Sequence, residues 1–316
     1  MNCFNSLLLA AFAIVTLLPA SAQVAALASK VIVTGASGRT GRLVFSQLST
    51  NPKFEAVGCV RSESSAKRLM KEVPNCRLEQ LAIVDVTNMD PASEQPKLLE
   101  GADAMIICTS AVPKISKSSV IRQMLKIPLN VIRKRPAINF RGFRFRYQPG
   151  QHPEKVDYEG QKKQIDLAKK LGVKRVVVVS SMGGTDENNF LNSIGKAKDG
   201  SGDGDILVWK RKAEKYLAQS GLDYTIIHPG GLIDTPASQQ QLVLDVDDKL
   251  LKNEKRSISR ADVANLCVAA LESSKAGQSV SLDCIATDVE EGTEIKSATA
   301  ALEEFLAKEM TCDYSL

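Results

Sequence analysis

The 316-residue chain is 44 % hydrophobic, 5 % aromatic and 24 % charged, which suits a globular α/β protein with a sizeable core and excludes a fibrous or disordered one. Its formal net charge of +5 conceals an uneven distribution: one segment is strongly basic and the remainder is mildly acidic. Of seven cysteines, Cys3 lies near the start and the other six fall singly without metal spacing, so no metal is expected; Cys59 and Cys108 fall in expected buried strands and are read as inert core thiols in preference to disulfides.

Residues 1–22 carry an apolar run from 7 to 18, closed by Pro19-Ala20-Ser21-Ala22. Small residues at 20 and 22 suit signal-peptide cleavage after Ala22. The run is shorter than the roughly 20 apolar residues that span a bilayer. The missing Lys or Arg ahead of it leaves an uncleaved anchor as the alternative. A leader into the secretory pathway is therefore expected. Two destinations stay open, a secreted or lumenal one and the plastid of an alga with complex plastids, whose targeting begins with such a signal.

The stretch Val31-Ile32-Val33-Thr34-Gly35-Ala36-Ser37-Gly38-Arg39-Thr40-Gly41 reads as a buried strand, a tight turn and the start of a helix. Gly35 permits the sharp turn, Gly38 lets backbone approach a pyrophosphate, and Gly41 lets helix pack on strand. The helix N-terminal amides favour an anion there. Gly35, Ser37, Gly38, Arg39, Thr40 and Gly41 are thus expected to bind a dinucleotide. A second strand, 55–60, ends in Arg61-Ser62, about twenty residues past the last glycine. An acid at that place would hold the ribose hydroxyls of NAD. Arg61 with Ser62, helped by Arg39, instead suits the 2′-phosphate of NADP, although Glu63 lies close by.

A helix at 64–73 stops at Pro74, and a strand at 81–86 ends in Asp85-Val86. Residues 104–108 form a continuous apolar strand of the buried parallel kind, followed by Thr109-Ser110-Ala111. From 104 to 153 there are ten Lys or Arg and no Asp or Glu, which leaves the rest of the chain at −5. Phe143-Arg144-Phe145-Arg146-Tyr147 alternates like a strand. The readings of this segment are a solvated loop, a lid over an anionic substrate, or a patch for phosphate, nucleic acid or anionic membrane.

An amphipathic helix at 153–171 precedes a strand at 175–179, which delivers Ser180-Ser181 to the carboxyl edge where open α/β sheets bind ligands. A polar, glycine-rich loop at 182–205 leads to a helix at 206–220 closed by Gly221. A strand at 224–227 runs into His228-Pro229-Gly230-Gly231. Ser259-Arg260-Ala261-Asp262 has the form of a capping box opening a helix to 272. A last strand at 279–283 and a surface helix at 294–309 complete the expected elements.

Thr-Gly-x-x-Gly-x-x-Gly, with Val179-Ser180-Ser181-Met182-Gly183-Gly184-Thr185 and Trp209-Lys210-Arg211-Lys212-Ala213-Glu214, resembles the short-chain dehydrogenase/reductase superfamily, and within it the atypical, NmrA-like proteins of plants and algae. The resemblance implies a doubly wound parallel-sheet Rossmann fold over 29–316, a single domain with a small substrate-side C-terminal part and a basic insertion at 112–153. It implies that Asp85 and Val86 lie along the adenine and that Thr109, Ser110 and Ala111 pass the ribose and pyrophosphate. It places the family lysine on Lys210, with Lys212 as the alternative, and gives His228, Pro229 and Gly230 to the cofactor where relatives carry Arg-Pro-Gly. Ser181 and Lys210 are then the candidate catalytic residues. Tyr158 and Lys162 fit the family's Tyr-x-x-x-Lys string, but their helix precedes the fifth strand instead of following it, so Tyr158 is read as a packing residue. The tyrosine position belonging to Lys210 holds Ile206. The expected function is an NADP(H)-binding oxidoreductase that reduces a small carbonyl or quinone-like acceptor; the alternative is a non-catalytic NADP(H)-binding redox sensor or scaffold.

Overall fold

The computed structural model describes residues 28–132, 144–197, 199–273, 278–290 and 292–315. The leader at 1–22 and Arg133, Lys134 and Arg135 of the basic insertion lie outside the described residues, as does Phe143, the first residue of its 143–147 pattern.

The first half of the chain alternates strand and helix: β1 (Ser29–Thr34), α1 (Arg39–Thr50), β2 (Phe54–Val60), α2 (Glu63–Glu72), β3 (Leu81–Ile83) and β4 (Ala104–Ile107). The basic insertion contributes β5 (Lys114–Ile115), α3 (Lys117–Ile132) and β6 (Phe145–Arg146). A π-helical stretch, Glu154–Glu159, then runs into α4 (Gly160–Lys170), followed by β7 (Arg175–Val179), α5 (Phe190–Ser193), α6 (Ile206–Ala218) and β8 (Asp223–Pro229). The last part comprises β9 (Gly231–Ile233), β10 (Gln241–Asp245), β11 (Ser257–Ser259), α7 (Arg260–Glu272), β12 (Val280–Thr287) and α8 (Ala298–Leu306).

Eight strands form one sheet in the order β10-β12-β8-β7-β4-β1-β2-β3, parallel throughout except for β10. This is the Rossmann arrangement, in which the strand order reverses between β1 and β4 and opens a crevice at the carboxyl ends. The period of two in each strand explains both layers. Val31 and Val33 enter a core with Phe45 and Leu48 of α1, Val263 of α7 and Phe305 of α8. Ile32 points the other way and packs with Met105, Ile165 of α4 and Leu217 of α6.

The departures from expectation have local causes. β12 is longer than expected because its second half is paired antiparallel by β10, from Gln241↔Thr287 to Asp245↔Asp283. The mixed polarity of 241–245 hides that edge strand in the sequence. α8 is not a surface helix: Ala301, Leu302, Phe305 and Leu306 form a stripe at helical spacing and are buried in the first core layer. No reciprocal capping box opens α7. Ser259 accepts from the Ala261 amide at 3.1 Å, but Asp262 accepts from the Ser238 amide at 2.8 Å. The anticipated 143–147 strand is present only as Phe145–Arg146, paired antiparallel with Lys114–Ile115. Tyr158 packs as expected, its ring 5.7 Å from that of Trp209.

Candidate active site

The glycine turn sits at the reversal of strand order, and its shape requires glycine at two places. Gly35 has φ of 65°, and a Cβ there would meet the Cys108 carbonyl at 2.9 Å. A Cβ on Gly41 would lie 2.3 Å from the Gly35 carbonyl oxygen. The turn is closed by the Gly38 amide donating to the Gly35 carbonyl at 2.8 Å. No side chain caps α1, whose first turn contains no acid, so its N-terminal amides and positive dipole end face the crevice. These features fit a pyrophosphate.

Three arginines come from the elements nearest this turn: Arg39 opens α1, Arg61 follows β2, the neighbour of β1, and Arg68 lies in α2. Arg39, largely exposed, pairs with Asp234 at 3.3 Å, and Asp234 also holds the buried Arg260 at 2.7 Å. Arg61, at the end of β2, donates to the Gln151 side chain. Arg68 of α2, which sequence reasoning missed, reaches back to the Ser37 carbonyl at 3.3 Å. Its only signal was its position, one turn into the helix after Arg61. Ser62 caps α2, accepting from the Ser65 amide at 3.3 Å. Asp85 lies just past β3 and folds into its own turn, accepting from the Thr87 amide at 3.0 Å and the Asn88 side chain at 2.9 Å; Val86 is buried beside it.

Thr109, Ser110 and Ala111 are brought together with Lys210 by a residue the sequence reading passed over, Asp157. The Asp157 carboxylate is fully buried and pairs with the Lys210 ammonium at 2.8 Å. It also accepts from the Ser110 hydroxyl at 2.8 Å and the Ala111 amide at 3.0 Å. The Gln164 side chain donates to the Thr109 hydroxyl at 3.0 Å. Asp157, Gln161 and Gln164 are polar, yet they share the buried face of their helix with Gly160 and Ala168. That interruption of an apolar stripe was the available signal. Lys212, the alternative lysine, is exposed, with its ammonium 4.1 Å from the Trp209 ring centre.

A small cleft is lined by Ser181, Thr185, Arg211, Glu214, His228 and Asp248, among others. Ser181, half-buried, donates to the Met182 carbonyl at 3.2 Å. Ser180, its buried neighbour, donates to Glu214 of α6. Glu214 lies 3.3 Å from His228 Nε2, and Asp283 of β12 lies 3.2 Å from His228 Nδ1. His228 is thus held between two buried carboxylates, while Pro229 accepts from the Met182 amide at 3.1 Å and Gly230 donates to the Cys284 carbonyl at 2.9 Å.

Burial alone would favour a neutral imidazole, but Glu214 and the contacts from Asp283 and Cys312 outweigh it and hold the His228 pKa well above its ordinary value. Burial pushes Glu214 upward, yet His228 and Ser180 prevail and lower it. For Asp283 burial wins and the pKa is raised. Elsewhere, burial pushes the Cys59 and Cys108 thiols up to about 12, in keeping with inert core cysteines.

Residues 35–274 match the NAD(P)H-binding family. Sanguinarine reductase of Eschscholzia californica is 44 % identical over 247 residues, covering 77 % of this chain and 84 % of that protein. An uncharacterized chloroplastic protein of Arabidopsis thaliana is 44 % identical over 246 residues, covering 77 % of this chain and 65 % of its own length. Among solved structures, the oxidoreductase ylbE from Lactococcus lactis superposes with a TM-score of 0.55 at 21 % identity, covering 88 % of this chain and 97 % of that one, a likeness of fold.

Proposed function

The chain belongs to the NAD(P)H-binding family, within the atypical, NmrA-like short-chain dehydrogenases, and from that membership we propose an NADP(H)-dependent oxidoreductase that reduces a small carbonyl or quinone-like acceptor. The observations that carry the reading are the uncapped, glycine-built N-terminus of α1, with Arg39 in its first turn and Arg68 on the Ser37 carbonyl, and the buried pair of Lys210 and Asp157, bonded to Ser110 just past β4. The bound nicotinamide would supply the hydride. The likeness to sanguinarine reductase supports reduction of a small organic acceptor.

In this reading the glycine turn holds the pyrophosphate, with Ser37 and Thr40 beside it, and the arginine cluster holds a 2′-phosphate, which favours NADP over NAD. Lys210, fixed by Asp157, places a positive charge near the nicotinamide ribose. Ser181, on the cleft wall, offers one hydrogen bond to an acceptor oxygen as it gains negative charge. Ile206 can neither donate a proton nor stabilise that oxygen. Acceptors that need little acid assistance, quinones and dyes, therefore suit the site better than simple ketones.

The test is NADPH consumption with a panel of quinones, dyes and ketones. Quinone or dye reduction with weak or absent ketone reduction is expected, and it should be lost in Lys210→Ala. Robust ketone reduction that survives both Ser181→Ala and Lys210→Ala would show that the active site lies elsewhere.

The second reading, a redox sensor or scaffold that binds the nucleotide without turnover, is favoured by Ile206 in the tyrosine position and by Lys210 being engaged with Asp157. Tight NADPH binding with no consumption across the panel would select it. A plastid destination draws support from the leader-like residues 1–22 together with the chloroplastic relative, and microscopy of a fluorescent fusion tests it.

A further inference from the structure

Three side chains at the floor of the cleft are arranged as metal ligands, although their sequence spacing conceals it. His228 at the end of β8, Asp283 in β12 and Cys312 beyond α8 come from separate parts of the chain, and all are buried. His228 Nδ1 is 3.2 Å from Asp283 Oδ1 and 3.7 Å from Cys312 Sγ, and Cys312 Sγ is 4.0 Å from Asp283 Oδ1. Tetrahedral zinc with bonds of about 2.0 Å to nitrogen and oxygen and about 2.3 Å to sulfur has ligand–ligand edges of about 3.3–3.6 Å. The observed triangle matches those edges to within a few tenths of an ångström.

From this arrangement we propose that His228, Asp283 and Cys312 bind one divalent transition-metal ion of the zinc class, with a fourth position facing the cleft.

The groups behind the triangle are those a metal-bound histidine requires. When Nδ1 ligates, Nε2 must carry the proton and needs an acceptor, and Glu214 stands 3.3 Å away. Glu214 is itself held by the Ser180 hydroxyl. The second oxygen of Asp283 accepts from the Asp248 amide at 2.6 Å, which leaves Oδ1 facing the triangle. Cys312 is fixed by its backbone: its amide donates to the Ser281 carbonyl at 3.1 Å. The cleft provides the entry path, with Asp247 and Asp248 on its wall to attract a cation.

Ligation needs a free Nδ1 lone pair and a thiolate, so metal affinity falls as the solution is acidified. The mixed sulfur, nitrogen and oxygen set suits zinc or cobalt and disfavours magnesium and calcium, which take oxygen ligands.

The experiment is a titration of the purified, chelator-treated full chain with Co²⁺, read by absorption. One Co²⁺ per chain, a thiolate-to-cobalt charge-transfer band and the intense visible bands of tetrahedral coordination are expected, with Zn²⁺ displacing the signal. Cys312→Ser should abolish the charge-transfer band, Asp283→Asn should weaken binding at least tenfold, and Cys76→Ser, outside the triangle, should change nothing. If Cys312→Ser does not fold, X-ray absorption of the zinc-loaded wild type decides: one sulfur with nitrogen or oxygen neighbours is expected. No stoichiometric binding by the wild type, a charge-transfer band that persists in Cys312→Ser, or a shell without sulfur would each overturn the proposal. NADPH affinity, measured alongside, is independent of it.

Discussion

Asp157→Ala tests the node on which the site is built. Asp157 has no exposed surface and Lys210 is only 7 % exposed, so removing the carboxylate leaves an ammonium buried without that partner. It also strips an acceptor from the Ala111 amide and the Ser110 hydroxyl. Breaking a buried pair at one end costs about 3–5 kcal/mol, and a buried amide left unpaired costs about 1–3 kcal/mol. These penalties share one small volume and will not add in full, so a loss of about 3–5 kcal/mol is expected. In a domain of this size that lowers Tm by roughly 6–15 °C. Urea unfolding of the wild type, Asp157→Ala, Asp157→Asn and the paired change Asp157→Leu with Lys210→Met measures it. Asp157→Asn should fall between wild type and Asp157→Ala, because its side-chain oxygen still accepts from Ala111. The double apolar change should recover most of the loss, since replacing both members of a buried pair is often neutral. A cost below about 1 kcal/mol for Asp157→Ala would refute the claim that this carboxylate anchors Lys210.

Gly41→Ala places a Cβ 2.3 Å from the Gly35 carbonyl oxygen and should push α1 off β1, destabilising the chain by about 1–3 kcal/mol and weakening NADPH binding at least tenfold; calorimetry and a fluorescence titration read the two effects. The basic insertion should bind anionic vesicles in a salt-dependent manner, because its charges are screened over about 8 Å at physiological ionic strength. Co-sedimentation of the wild type and of Lys117, Arg122 and Lys126 all changed to Ser checks this, and equal binding by both would identify the segment as a solvated face.

The parallel half of the fold was legible because buried parallel strands are nearly continuous apolar runs: 31–33, 104–108 and 175–179 can be little else. The glycine turn was legible because only glycine satisfies the Gly35 φ and the Gly41 contact. What stayed hidden depended on tertiary pairing. β10 carries no strong pattern and exists because β12 offers it an edge. α8 looked like a surface helix because its charged residues drew attention away from the Leu302–Phe305–Leu306 stripe. Within the site, Lys210 was found through its place in the family pattern, whereas Asp157 lies 53 residues earlier and is tied to it only by folding. The cysteines illustrate the same limit. Cys312 carries no motif, and its nearness to His228 and Asp283 arises because the C-terminal tail runs alongside the start of β12.

We infer that the crevice between β1 and β4 holds NADP(H), with its 2′-phosphate among Arg39, Arg61 and Arg68. The most direct measurement is a fluorescence titration of the wild type and Arg61→Ala with NADPH and with NADH at one salt concentration. NADPH is expected to bind at least about tenfold more tightly than NADH, roughly 1.4 kcal/mol, and Arg61→Ala to remove most of that preference while leaving NADH affinity nearly unchanged. Equal affinities for the two cofactors, or a preference unaffected by Arg61→Ala, would contradict it.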